Sequence, residues 1–143
     1  MSWPLETLVA SADVEICVSL TEVLVKNGLI PVCCSTLNET QRVLLRHPIC
    51  VVLSDYRFPD GDFHDVLAAV AASASRVPVI IIACRPIDSI EYLNAMSAGA
   101  FDCIRFPWKP QELQKIVSRA LNAVSLFAFE PVGTGSERLG GNP

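Results

Sequence analysis

One carboxylate near the middle of the chain stands where a parallel sheet would place chemistry. Residues 49–53 form a short, uninterrupted apolar run rich in β-branched side chains, which predicts a strand buried on both faces. Asp55 follows this run, and a turn containing Pro59 and Gly61 comes next. Ligands of open parallel sheets bind just outside the carboxyl ends of the strands. A lone Asp after a strand more often caps a turn, so its role depends on the rest of the chain.

Cysteine and histidine side chains are the other candidates for chemistry. The six cysteines are Cys17, Cys33, Cys34, Cys50, Cys84 and Cys103. They contain no Cys-x-x-Cys pair and most lie inside apolar runs, which predicts reduced core thiols rather than disulfides or a zinc site. A cysteine nucleophile needs a neighbouring base, and neither His47 nor His64 belongs to a recognisable triad. These residues therefore do not favour an enzyme.

The composition predicts a single cytoplasmic domain. A chain of 143 residues suits one domain with one sizeable core. No apolar run approaches the ~20 residues that span a bilayer, and the N-terminus shows no secretory signal pattern. The net charge is −4 and the 11 basic residues are scattered, whereas nucleic-acid binding needs a concentrated basic face. We therefore expect no contact with membranes or nucleic acid.

Strand and helix patterns alternate five times along the chain. Strands are predicted at 5–10, 29–34, 49–55, 77–83 and 101–105, and helices begin after Asp13, Thr36 (with Glu39 in a capping box), Asp62 and Asp88 and at Pro110. This alternation predicts an α/β, flavodoxin-like (βα)5 three-layer sandwich with a parallel five-stranded sheet in the order 2-1-3-4-5. Pro31 places the second strand at a sheet edge, and the apolar fourth strand is predicted to be central.

The predicted order places Asp55 beside the loop after the first strand. The site of such a fold lies where the first and third strands meet, so the loop of Ser11, Ala12 and Asp13 is its neighbour. Residues 1–125 form the predicted domain. Residues 126–143 form a C-terminal extension whose glycine-rich composition predicts a flexible tail or linker. The apolar residues 124–129 leave dimerisation open.

Four segments of the chain resemble receiver domains of response regulators, the CheY-like family of two-component signalling. They are residues 52–61, 77–82, 98–104 and 107–113, and the similarity covers about residues 5–125. The resemblance implies that Asp55 accepts a phosphoryl group from a histidine kinase or phosphotransfer protein. It also implies a downstream protein partner, bound through the fourth helix, fifth strand and fifth helix. That face includes Tyr92, Met96, Arg105 and Trp108.

Four positions around this carboxylate depart from the family pattern. The family places two adjacent Mg²⁺-binding acids in the first loop, where this chain has Ser11 and Ala12. It places Thr or Ser at the end of the fourth strand, where this chain has Ala83, and Lys after the fifth strand, where this chain has Phe106. Pro107, the candidate for a cis peptide bond, is retained. The receiver site is therefore expected to be degenerate.

The departures weaken both metal binding and phosphoryl transfer. Mg²⁺ needs near-octahedral oxygen ligands, usually including carboxylates, and Asp55 with the displaced Asp13 makes a poor site. Phosphoryl transfer needs positive charge around the transferred group, and here the metal pair and the Lys are missing. If Phe106 covers the site, burial is expected to raise the pKa of Asp55.

Three functions remain open from the sequence. In the first, Asp55 is still phosphorylated within a phosphorelay. In the second, the chain is a pseudo-receiver that acts without phosphate or metal, as an adaptor or a homodimer. The third and least favoured is a small-molecule binder on the same fold, because residues 11–13 are too poor in hydroxyl groups and glycine to hold a flavin phosphate.

Overall fold

The computed structural model describes residues 5–73, 77–83 and 87–129, with residues 124–129 described as backbone only. The strands are β1 (Leu5–Ala10), β2 (Leu29–Cys34), β3 (Ile49–Asp55), β4 (Arg57–Phe58), β5 (Gly61–Asp62), β6 (Val79–Ala83) and β7 (Asp102–Arg105). The helices are α1 (Val14–Lys26), α2 (Leu37–Arg46), α3 (Phe63–Ala72), α4 (Ser89–Ser97) and α5 (Pro110–Phe129). Within these ranges the predicted alternation of strand and helix is confirmed.

Five strands form one parallel sheet in the order β2-β1-β3-β6-β7. This is the predicted flavodoxin-like order, and Pro31 lies on the edge strand β2 as expected. The prediction that the fourth strand is central is wrong, because β3 holds the middle position. All five residues of β6 are buried. Full burial is shared by every interior strand of a covered parallel sheet, so apolar content cannot distinguish the middle strand from its neighbour.

The sheet is covered on both faces, which confirms the three-layer arrangement. Alternate residues of β3 point to opposite faces: Val52 packs with α2, α3 and α4, and Val51 and Leu53 pack with α1 and α5. Phe63 at the start of α3 is fully buried in the first of these clusters. The core therefore has two halves separated by the sheet.

A short hairpin follows Asp55, where only a turn was predicted. Strands β4 and β5 pair antiparallel, with Phe58 opposite Gly61. The side chain of Phe58 is 8% exposed and packs into the first cluster. A Cβ on Gly61 would overlap the side chains of Leu37 and Asp65, so glycine is needed for close packing here. The hairpin fixes the chain that leaves the Asp55 position.

Helix caps explain why several elements begin where they do. Asp88, which was predicted to precede α4, caps it and forms a reciprocal capping box with Glu91. The capping box predicted for α2 is only half formed. Thr36 accepts from the Glu39 N–H, but Glu39 Oε1 accepts from the N–H and hydroxyl of Ser35 at 2.9 and 3.1 Å. These bonds from Ser35 lower the pKa of Glu39.

Helix α5 continues past residue 125 to Phe129. The division between a domain and a C-terminal extension therefore stays a prediction, and residues 130–143 of the predicted tail lie outside the described residues. None of the helices in the described part of the chain is long and apolar enough to cross a membrane.

The cysteines differ in exposure more than their apolar surroundings suggested. Cys34 is buried as predicted, but the prediction of a core thiol is wrong for Cys33, which is exposed. Successive strand residues point to opposite sides, and on an edge strand one of those sides is incompletely covered. Cys17, Cys50 and Cys103 are partly buried, and all five of these described cysteines are free thiols. Cys84 lies outside the described residues.

Candidate functional site

Asp55 is the last residue of β3 and lies between β1 and β6. Its neighbour across the β3–β6 pair is Ile82. The Asp55 side chain is buried, at 5% exposure. Its Oδ2 accepts one hydrogen bond from the Ser11 hydroxyl and one from the Ala12 backbone N–H, each 3.0 Å long. The structure thus brings Asp55 together with the loop after β1.

Ser11 is held by bonds on both sides of the loop. Its N–H donates to the carbonyl of Cys34 at 2.9 Å, which joins the loop to β2. Its hydroxyl oxygen accepts from the Asp13 N–H at 3.1 Å while the hydroxyl lies 3.0 Å from Asp55 Oδ2. Ser11 is only 1% exposed. The loop therefore presents hydrogen-bond donors to the Asp55 carboxylate from a fixed position.

The second carboxylate oxygen of Asp55 lacks the hydrogen bonds that Oδ2 accepts. Oδ1 is buried and has no hydrogen-bond partner among the described residues. Burial raises the pKa of Asp55, and the bonds from Ala12 and Ser11 to the charged form partly offset this. This is the direction predicted from the sequence. The main cause is the burial of Asp55 at the carboxyl end of β3. Phe106 packs edge-on against Trp108, with ring centroids 4.9 Å apart.

Ala83 and Phe106, the two described positions where the family has a hydroxyl and a Lys, carry neither a hydroxyl nor a cation. Ala83 ends β6 and is 3% exposed, and its carbonyl accepts from the Phe106 N–H at 2.9 Å. The Phe106–Pro107 peptide bond is cis. Arg57, just beyond β3, is exposed and lies over the Tyr56 ring, 5.5 Å from its centroid. Arg85 lies outside the described residues.

The described residues do not fit a Mg²⁺ ion. The carboxylate of Asp13 caps α1, accepting from the N–H groups of Glu15 and Ile16 at 2.9 and 3.2 Å. Ala12 offers the site an N–H, whereas Mg²⁺ needs oxygen ligands. No group of three or more acidic, histidine or cysteine side chains that could hold a metal occurs in residues 5–73, 77–83 and 87–129. Asp55 is left as a single carboxylate facing hydrogen-bond donors.

The raised pKa of Asp55 predicts a pH effect on stability. Because the folded state holds the proton more tightly than the unfolded state, Asp55 contributes most stability below its ordinary pKa of 3.8, and this is lost as the pH rises through the folded-state pKa. Urea unfolding between about pH 4 and 7 should show that Asp55→Asn gains stability relative to the parent as the pH rises. A constant difference between the two proteins across this range would contradict the prediction.

The face formed by α4, β7 and α5 exposes several apolar side chains. Tyr92 and Arg105 are exposed, whereas Met96 and Trp108 are partly buried against the two core clusters. Ile90 and Leu93, which are 67% and 59% exposed, were not predicted for this face. The signal was present, because five of the nine residues of α4 are apolar and only Ala95 of them is buried.

Comparison with known proteins agrees with this architecture. No family model matches the chain. The response regulator protein PilR of Pseudomonas aeruginosa is 32% identical over 84 residues, which cover 58% of this chain and 18% of PilR. The chain thus spans less than a fifth of the length of this relative.

Solved receiver domains superpose over most of the chain. One is the signal receiver domain of a LuxO repressor-type protein from Vibrio parahaemolyticus, with a TM-score of 0.82, 16% identity, and coverage of 93% of this chain and 100% of that one. Another is a response regulator receiver domain from Clostridium thermocellum, with a TM-score of 0.77, 25% identity, and coverage of 86% and 98%. The strand order, the place of Asp55 and the sequence match to a response regulator agree: this chain has the fold of CheY-like receiver domains and is similar in sequence to a response regulator.

Proposed function

We propose that this chain is a pseudo-receiver, a signalling module of the cytoplasm that acts by protein contact without metal-dependent phosphorylation of Asp55. One observation carries the proposal. The Asp55 carboxylate receives hydrogen bonds from Ser11 and Ala12, the two positions at which the family resemblance expects acids that bind Mg²⁺. These two positions therefore donate hydrogen bonds to Asp55 instead of supplying carboxylate ligands for a cation.

The charge at the site supports this reading. Phosphoryl transfer is catalysed mainly by positioning and by positive charge around the transferred oxygens. Ala83 and Phe106 stand where a hydroxyl and a Lys would bond those oxygens, and neither can do so. Loss of one preorganised donor typically slows catalysis by about 10²–10³-fold. Loss of several, together with the metal, makes transfer to Asp55 too slow for signalling.

The partner is proposed to bind the face formed by α4, β7 and α5. Ile90 and Leu93 expose apolar surface there, and Tyr92 beside them is 41% exposed. Exposed aromatic and aliphatic residues bordered by charge are typical of protein interfaces. A downstream protein or a second copy of the chain could use this surface, and a histidine kinase or phosphotransfer protein could contact the domain without transferring phosphate.

Phosphorylation of Asp55 within a phosphorelay is the second candidate function. Two observations favour it: an Asp is present at the carboxyl end of β3, and its Oδ1 has no hydrogen-bond partner among the described residues. That oxygen is the one still free of the donors that hold Oδ2.

Intact mass after incubation with acetyl phosphate and Mg²⁺ separates the two functions. We expect the mass of the parent to stay unchanged, as in the Asp55→Asn variant. A receiver domain with both loop acids and the Lys serves as the positive control for the reagent. Gain of one phosphoryl group by the parent, and not by Asp55→Asn, would overturn the pseudo-receiver proposal and establish the second candidate.

A further inference from the structure

Cys17 on α1 and Cys33 on β2 both lie near Thr21, close to the loop that holds Asp55. The Thr21 hydroxyl on α1 lies 3.8 Å from the Sγ of Cys33 on β2. Cys17 precedes Thr21 by four residues, so both lie on the same face of α1, with Cβ atoms about 5–6 Å apart. Cys17 packs into the core cluster between α1 and the sheet. Cys33 and Cys17 are therefore neighbours across the α1–β2 contact.

The surroundings distinguish this pair from the other described cysteines. Cys33 is the exposed member of the five, and Cys34 points to the opposite face of the sheet, where burial raises its pKa to about 11. The Cys50 thiol donates to the carbonyl of Glu6 at 3.2 Å, near the start of β1. Burial, and next the nearby Cys33 thiolate, raise the pKa of Cys17. This electrostatic effect of Cys33 on Cys17 agrees with their shared contact region around Thr21.

We propose that Cys33 and Cys17 form an oxidisable pair that a peroxide converts into a disulfide between β2 and α1. The exposed Cys33 thiolate attacks one oxygen of hydrogen peroxide, the O–O bond breaks, and a sulfenic acid and water result after proton transfer. The Cys17 sulfur then attacks the Cys33 sulfur, the S–S bond forms, and the hydroxyl leaves as a second water. Both thiols together lose two electrons and two protons, and the peroxide is reduced.

The pair is connected to Asp55 through the loop after β1. The Cys17 thiol donates to the carbonyl of Ser11 at 3.5 Å, and the Ser11 hydroxyl donates to Asp55 Oδ2. A disulfide removes this S–H donor, so the loop loses one of the bonds that position it. Oxidation is therefore expected to be felt at the Ala12 N–H, which also donates to Asp55.

Mass spectrometry of the full chain after treatment with hydrogen peroxide tests the proposal. With remaining thiols blocked under denaturing conditions, we expect the monomer to lose two hydrogen atoms and peptide mapping to link Cys17 to Cys33. Cys50→Ser, the matched control, should behave as the parent. Cys33→Ser, Cys17→Ser and Cys17→Ala should not form the link, and far-ultraviolet circular dichroism confirms that each variant is folded.

A second measurement tests the connection between the thiol pair and Asp55. In a ¹H–¹⁵N spectrum of the parent, oxidation should shift the Ala12 amide, and addition of a dithiol reductant should restore it. Oxygen atoms added to Cys33 without the link, a link between other cysteines, or a Cys33–Cys33 dimer would overturn the proposal. An oxidised monomer whose Ala12 amide does not move would overturn the connection to Asp55.

Discussion

Rebuilding the four departed positions is expected to let acetyl phosphate transfer a phosphoryl group to Asp55 at a far higher rate than in the parent. The variant carries Ser11→Asp, Ala12→Asp, Ala83→Thr and Phe106→Lys. The two new carboxylates join Asp55 as oxygen ligands for Mg²⁺, and the Thr hydroxyl and the Lys ammonium supply donors to the phosphoryl oxygens. Each donor regained is worth about 10²–10³-fold in rate, so their combined effect far exceeds any single change.

Mg²⁺ binding is an independent measure of the same rebuilding. Three carboxylates without a metal repel one another, so the rebuilt variant should be less stable than the parent until Mg²⁺ is added. Binding to the folded state alone increases the free energy of unfolding by RT ln(1 + [Mg²⁺]/Kd), and Tm rises as a result. We expect Mg²⁺ to raise the Tm of the rebuilt variant and to leave the parent unchanged.

The control is Asp55→Asn within the rebuilt background, which should bind no phosphoryl group. Intact mass and thermal unfolding report phosphorylation and folding on the same samples. A rebuilt variant that folds and is stabilised by Mg²⁺, yet gains no phosphoryl group, would show that these four positions do not suffice for phosphorylation of Asp55.

Truncation of Phe63 is expected to give the largest single loss of stability. Phe63→Ala should lower the free energy of unfolding by about 3–5 kcal/mol, the usual cost of emptying a buried aromatic site. Phe63 is fully buried and is the largest side chain of that class. Its ring lies 4.7 Å from that of Tyr56, and its N–H donates to the Tyr56 carbonyl at 3.0 Å. The cavity would therefore open directly beneath the chain that leaves Asp55.

Leu45→Ala is the matched control, because Leu45 is 76% exposed. An exposed aliphatic side chain is usually worth no more than about 0.5 kcal/mol. Urea unfolding of both variants should show a similar m-value, so that the midpoint reports stability directly. A loss below about 1 kcal/mol for Phe63→Ala would mean that the hairpin and α3 collapse around the cavity.

The order of the elements could be predicted because it depends on local signals. Asp13 and Asp88 mark helix starts through bonds to N–H groups two or three residues away. The alternation of strands and helices then restricts the topology to few parallel sheets, which was enough to place Asp55 beside Ser11. The expectation that the fourth strand is central was wrong because interior strands are alike in apolar content, and only the pairing of strands places β3 in the middle.

The finer features of the site depend on geometry that side-chain types do not encode. The bond from Ala12 to Asp55 comes from a backbone N–H, so replacing an acid by Ala gives no hint that a donor remains. The β4–β5 hairpin depends on Phe58 reaching the core, and its two-residue strands carry no periodic pattern. Cys33 and Cys34 are identical neighbours, and only the side of the strand decides which one meets solvent.

Pro31 has a consequence for how this domain can associate. The carbonyl of Cys34 accepts from Ser11 on the β1 side, so by alternation the ring nitrogen of Pro31 faces away from the sheet. A strand from another chain that added to β2 would find no N–H at the middle of the six-residue edge. Growth of the sheet from copy to copy, as in amyloid fibrils, is thereby disfavoured at the β2 edge.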